Sequence, residues 1–133
     1  MSDCDAFLRW VRTTLYKAQA ALYDGDVALY RALWSRRNPV SVLGTEHSAD
    51  GRCEVDEHLT ALARRFSDCT SYEFEALACN AIGDIAYTVG LEYVSASIEG
   101  QPRTYVLRAT QVYRCEDGGW RIAHRHEDTP AAG

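Results

Sequence analysis

The second half of the chain most constrains what it can fold into. Three turn signals, Gly83-Asp84, Glu99-Gly100-Gln101-Pro102 and Asp117-Gly118-Gly119, cut it into long runs with a period of two. The spacing predicts strands over 71–81, 85–97, 103–115 and 120–128, joined as a meander. Successive side chains on a strand point to opposite faces. In each run one set of alternate residues must therefore meet a core, and the other must not.

The first half has the helical period instead. Phe7, Leu8, Val11, Leu15, Ala18 and Leu22 predict a helix over 5–23. Asp24-Gly25-Asp26 ends it. Leu29, Tyr30, Leu33 and Trp34 predict a second helix over 27–36, which Pro39 stops. A short strand over 40–44, a polar loop over 45–52 and a third helix over 54–66 follow. Helices first and a strand meander afterwards is an α+β order. A twisted antiparallel sheet with helices on one side curls around its core, and its concave face can stay partly open to a small molecule. Residues 1–133 read as one domain, with 129–133 as a flexible tail.

Composition narrows the partners. A net charge of -5 argues against broad nucleic-acid binding, which needs a cationic surface. No apolar run is long enough to span a bilayer, so no membrane partner is expected. The five cysteines are odd in number and lack a Cys-x-x-Cys pair, which favours reduced thiols in the cytoplasm. The acidic start Met-Ser-Asp-Cys-Asp does not read as a signal peptide. There is no Gly-rich phosphate loop, no nucleophile elbow and no zinc-ligand spacing, so no cofactor and no metal are expected.

Several segments are familiar together: Leu33-Trp34-Ser35-Arg36, Gly83-Asp84-Ile85-Ala86-Tyr87, Arg108-Ala109-Thr110-Gln111-Val112-Tyr113-Arg114, and Asp117 to His126 with its Gly-Gly-Trp start and His-Arg-His end. They resemble the SnoaL-like branch of the nuclear transport factor 2-like superfamily. They are also similar to the association domain of calcium/calmodulin-dependent kinases. The resemblance implies a cone-shaped α+β half-barrel, three N-terminal helices packed on a curved, mainly antiparallel sheet. It further implies a homodimer through the convex sheet face and a small organic molecule in the cone. Members include isomerases, polyketide cyclases, dehydratases and non-catalytic association or ligand-binding modules, so the fold does not choose the function.

Strand register then nominates residues. The turn at Gly100 places Glu92 opposite Leu107, Gly90 opposite Ala109 and Thr88 opposite Gln111. The turn at Gly118 places Tyr113 near Ile122 and Gln111 near His124. One face then collects Thr88, Glu92, Gln111, Tyr113, Ile122, His124 and His126, and is assigned to the cavity. The opposite face, with Ile85, Tyr87, Val89, Leu91 and Tyr93 rimmed by Arg108, Arg114, Arg121 and Arg125, is assigned to the dimer interface. A single bulge would exchange the two lists beyond it.

On this register His126, Glu92 and Asp128 are the candidate proton carriers of a cofactor-free isomerase, cyclase or dehydratase. Glu92 would have a raised pKa beside an apolar wall, and Asp128 would orient His126. Tyr30, Trp34, His47, Gln111, Tyr113 and His124 are the candidate ligand contacts. The competing reading makes His124 and His126 core histidines that bond a backbone carbonyl or Glu92, and makes Tyr30 and Trp34 core packing. A metal on His124, His126 and Asp128 is disfavoured. Alternate residues on a straight strand stand about 6–7 Å apart, too far for three bonds of about 2.1 Å to one zinc.

Overall fold

The computed structural model describes residues 3–130, apart from the side chain of residue 3. Residues 131–133, most of the proposed tail, lie outside the described residues. The first helical segment, α1 (Asp3–Trp10), continues through a π-helical turn (Val11–Leu15) into α2 (Tyr16–Tyr23). The sequence explains the turn. Phe7, Val11 and Leu15 are spaced by four. Each four-residue step overshoots a 3.6-residue α-turn by about 40°. A wider turn absorbs that drift and keeps Phe7, Val11, Leu15, Ala18 and Leu22 buried on one side.

Gly25 ends α2 with φ +95°, and a Cβ there would lie 2.7 Å from the Phe66 carbonyl oxygen. The second predicted helix is only α3 (Ala28–Ala32). It stops early because the closing strand takes its backbone. Ile122 N–H donates to the Leu33 carbonyl and Ser35 N–H donates to the Ile122 carbonyl, both at 2.8 Å. The helix predicted over 54–66 is α4 (Arg52–Arg65).

Six strands form one sheet: β1 (Ser41–Leu43), β2 (Ser48–Asp50), β3 (Phe66–Ile82), β4 (Ile85–Ile98), β5 (Gln101–Glu116) and β6 (Gly119–Asp128), in the order β2-β1-β6-β5-β4-β3. All neighbours are antiparallel except β1 beside β6. The strand β2 replaces part of the predicted polar loop. β3 begins five residues earlier than the pattern indicated, because a register shift between Ser67 and Ser71, with Asp68 at φ +48°, breaks its alternation. The helices cover one face of this curved sheet, and Phe7, Leu22, Tyr30, Trp34, Leu59, Tyr113 and Ile122 fill the space between.

The β4–β5 register is the expected one, with Glu92 opposite Leu107, Gly90 opposite Ala109 and Thr88 opposite Gln111. The β5–β6 register is not. It starts as expected, with Tyr113 opposite Ile122, but then Val112 stands opposite His124 and Gln111 opposite Arg125. Ala123 is the extra residue of a β-bulge. Beyond it every side chain of β6 exchanges faces. His124, His126 and Asp128 are carried to the outer face, and Arg125 is carried inward. The expected cavity assignment of the two histidines and the expected outer position of Arg125 are both corrected by this one residue.

Gly90 is required where it stands. A Cβ there would run into the Glu75 carbonyl oxygen and lie 2.5–2.7 Å from the Phe74 ring. With Ala76 and Ala109 on either side in the sheet, it leaves a shallow bed in which that ring sits.

Candidate functional site

A cavity of about 260 Å³ opens between the π-turn and the concave face of the sheet. Val11, Leu15 and Gln19 line it from the helix, and Tyr72, Phe74, Glu92, Gln111 and Tyr113 from the strands. Arg12, Tyr16 and Glu73, all exposed, stand at its mouth. The π-turn thus places two apolar side chains over the sheet at the point where the core is left open.

The floor is a buried polar cluster. Glu92 and Arg125 are 2% and 3% exposed, respectively. Arg125 donates in fork geometry, Nη2 to Glu92 Oε1 at 2.7 Å and Nη1 to Oε2 at 2.9 Å. Tyr23 O–H donates to Oε1 at 2.8 Å and Tyr72 O–H to Oε2 at 3.1 Å. All four acceptor positions of the carboxylate are therefore taken. Arg125 Nη1 also donates to Gln111 Oε1 at 3.1 Å, and its Nε to Glu127 Oε1 at 2.9 Å. The network extends further. Tyr30 O–H donates to Gln111 Oε1 at 2.9 Å, Gln111 Nε2 donates to the Tyr113 hydroxyl at 2.6 Å, and that hydroxyl is hydrogen-bonded to Thr88 Oγ1 at 2.9 Å.

The electrostatics follow from this geometry. Burial alone would raise the Glu92 carboxyl, but the charge and hydrogen bonds of Arg125, with the two tyrosine hydroxyls, hold it below the ordinary value. The raised pKa expected for Glu92 is corrected in sign. Burial opposes the charge on Arg125, and Glu92 and Glu127 more than offset it. Burial, then the neighbouring carboxylate of Glu92, pushes Tyr23 and Tyr72 well up. Burial pushes Tyr30 to about 12.

Of the nominated residues, Glu92, Gln111 and Tyr113 line the cavity together. Tyr30 stands one hydrogen bond behind it, bracing Gln111. Trp34 is fully buried and packs edge-on against Tyr30, their ring centroids 6.2 Å apart. The other four lie elsewhere. His124 Nδ1 is 2.8 Å from Ser41 Oγ on the outer face. Burial and the adjacent His126 lower its pKa. His126 is exposed there. Asp128 does not orient it: Arg108 holds that carboxylate at 2.6 and 2.7 Å, which lowers its pKa. His47 lines a separate surface hollow with His58 and Arg65.

Arg125, Tyr72 and Gln19 are among the site residues that the sequence reading did not nominate. Gln19 carried a usable signal, since it falls between Leu15 and Leu22 on the buried side of a helix. Among the described residues, no three His, Cys, Asp or Glu side chains stand where one metal ion could be held. None of the described helices is long and apolar enough to cross a membrane.

A small cone-like α+β domain with a cavity over the concave sheet face is the architecture that the nuclear transport factor 2-like proteins share. Residues 11–132 match the SnoaL-like domain, and the chain belongs to that family. No curated protein matches it in sequence. Among solved structures it is similar to a candidate dehydratase of the nuclear transport factor 2-like family from Streptomyces avermitilis, with a TM-score of 0.78, 19% identity and 94% of each chain covered. It is also similar to a candidate calcium/calmodulin-dependent protein kinase type II association domain from Thiobacillus denitrificans, with a TM-score of 0.75, 21% identity and coverage of 91% and 93%. A nuclear transport factor 2-like protein from Cytophaga hutchinsonii gives a TM-score of 0.74 at 11% identity, with coverage of 98% and 100%. These likenesses are of fold.

Proposed function

We propose that this protein binds a small, mainly apolar organic molecule in the cavity beneath the π-turn, and that it holds the molecule without proton transfer through Glu92. One observation carries the reading: apolar and aromatic walls enclose a preformed space over a floor whose charges are already paired. Interiors are normally packed with few voids larger than a water molecule. A lined, open space of this size is suited to a ligand. The floor argues against general-base chemistry. A carboxylate with four donors on it has no free lone pair for a substrate proton, and its lowered pKa makes it a weak base. His126 and Asp128, on the outer face, are not within reach to supply the missing proton carrier. The dehydratase name attached to the Streptomyces relative comes from a chain only 19% identical, and the reading here does not adopt it.

Ethylbenzene is a suitable probe, observed by ligand NMR. Saturable binding is expected for the wild type. In Val11→Phe the added ring enters the cavity, and affinity is expected to fall by about tenfold or more, with the helical circular dichroism kept. No saturable binding to the wild type would sink the reading.

A second reading concerns the outer sheet face, where Ile85, Tyr87 and Tyr93 are exposed on β4 and Leu43 on β1. Exposed apolar side chains on one sheet face suit association of two copies of the chain. Sedimentation is expected to give a dimer that Tyr87→Asp converts to monomer. A wild-type monomer at the highest soluble concentration would contradict it.

A further inference from the structure

Gln19 is 1% exposed and lines the cavity, yet neither its Oε1 nor its Nε2 has a hydrogen-bond partner in the protein. The acceptors of the cavity floor are already occupied. Glu92 already accepts from Arg125, Tyr23 and Tyr72, and Gln111 Oε1 accepts from Tyr30 and Arg125. A buried amide left without partners is costly, and native proteins rarely keep one without a reason. Here the amide sits on an otherwise apolar helix face, beside Leu15, Ala18 and Leu22.

A glutamine amide shows one acceptor and one donor side by side in a plane. Its complement is a group that shows a donor and an acceptor on one edge in the reverse order. Carboxamides and lactams do this while remaining neutral. A carboxylate of similar shape offers two acceptors and no donor, so Gln19 Oε1 would stay unpaired against it. The charges beyond the floor also disfavour an anion, because Glu92 and Glu127 outnumber the single guanidinium of Arg125. Arg12 and Glu73 at the mouth carry opposite charges and select neither sign. The rings of Tyr72, Phe74 and Tyr113 offer faces and edges to a flat ligand.

We infer that the ligand is a neutral planar ring bearing a carboxamide or lactam edge, and that Gln19 is the residue that recognises this edge. The inference rests on the cavity-binding reading above and deepens it. The test titrates three probes, benzamide, benzoate and ethylbenzene, into the wild type and into Gln19→Met, whose side chain is close in length and shape. Benzamide is expected to bind the wild type more tightly than benzoate. In Gln19→Met the ratio of benzamide to ethylbenzene affinity is expected to fall about tenfold or more, the effect of losing a paired donor and acceptor.

If benzoate binds the wild type more tightly than benzamide, or if the ratio is unchanged in the variant, the amide assignment is overturned while ethylbenzene binding keeps the cavity reading intact. If none of the three binds the wild type, both fall together. The comparison of benzamide with benzoate uses the wild-type protein alone, so a preference for benzoate overturns the assignment even if the variant does not fold.

Discussion

Glu92→Ala is expected to destabilise the fold by about 3–5 kcal/mol, read as a shift of the urea midpoint. The side chain it removes accepts both forks of Arg125 and two tyrosine hydroxyls. What remains is a guanidinium 3% exposed, with Glu127 on its Nε and Gln111 on one Nη. Glu127 still balances the guanidinium, so most of the cost is buried donors left without an acceptor: the Arg125 fork and the hydroxyls of Tyr23 and Tyr72. Replacing both partners by methionine should recover part of the loss, because the guanidinium goes with its acceptor, while Glu127 and the two tyrosine hydroxyls still lose their partners. A double-mutant cycle over Glu92→Met and Arg125→Met should show a coupling of about 2 kcal/mol or more. Simple additivity would mean that the two charges are independently solvated, contrary to the geometry.

The same pair sets the acid side of the stability profile. A carboxyl with a lowered folded pKa contributes stability that is present above its unfolded value. That contribution is lost as pH falls through the folded value.

How much of this was readable in the chain depends on what marks each feature. The helical stripe and the β4–β5 register were legible. One is a repeat, and the other is pinned by the two-residue turn Glu99-Gly100, which leaves little freedom in pairing. The β5–β6 register was legible only as far as Ile122. The bulge residue is Ala123, which is neither glycine nor proline and has no local signature. Across it the alternation of Trp120, Ile122, His124 and His126 looks continuous, so the pattern points the histidines inward.

The contrary signal lay in a different strand. Glu92 was placed on the inner face, and a buried carboxylate needs a cationic partner or it loses its charge. Among the basic residues that β6 could bring to its level, Arg125 is the one that a one-residue shift would deliver. Burial logic, applied across two strands, outweighs alternation within one. The strand β2 and the early end of α3 had no such signal, since both depend on backbone partners supplied from β1 and β6.

Raising the pH above 10 is expected to unfold the protein steeply, and buried tyrosines are the reason. Of eight tyrosines, four, Tyr23, Tyr30, Tyr72 and Tyr113, are 3%, 0%, 6% and 0% exposed, respectively. Burial raises each of their pKa values, Tyr30 to about 12. A group whose folded pKa is raised contributes stability that is fully present below the unfolded value, about 10 for tyrosine. The contribution is lost as pH climbs from there toward the folded value. Each such tyrosine removes about 1.4 kcal/mol per pH unit in that window, so four of them remove about 6 kcal/mol by pH 11. That is comparable to the whole stability of a small domain.

The hydroxyls cannot ionise in place, because Tyr23 and Tyr72 both donate to a carboxylate that would become a like-charged neighbour. Tyrosinate absorbance near 295 nm should therefore rise in two parts. An early part comes from accessible rings with structure intact, and a late part coincides with loss of circular dichroism. Tyr30→Phe should make the late transition shallower by about one proton's worth of slope. A smooth titration of all eight tyrosines near pH 10 with the fold retained would show that the cluster is wet, and the paired floor of the cavity would have to be abandoned with it.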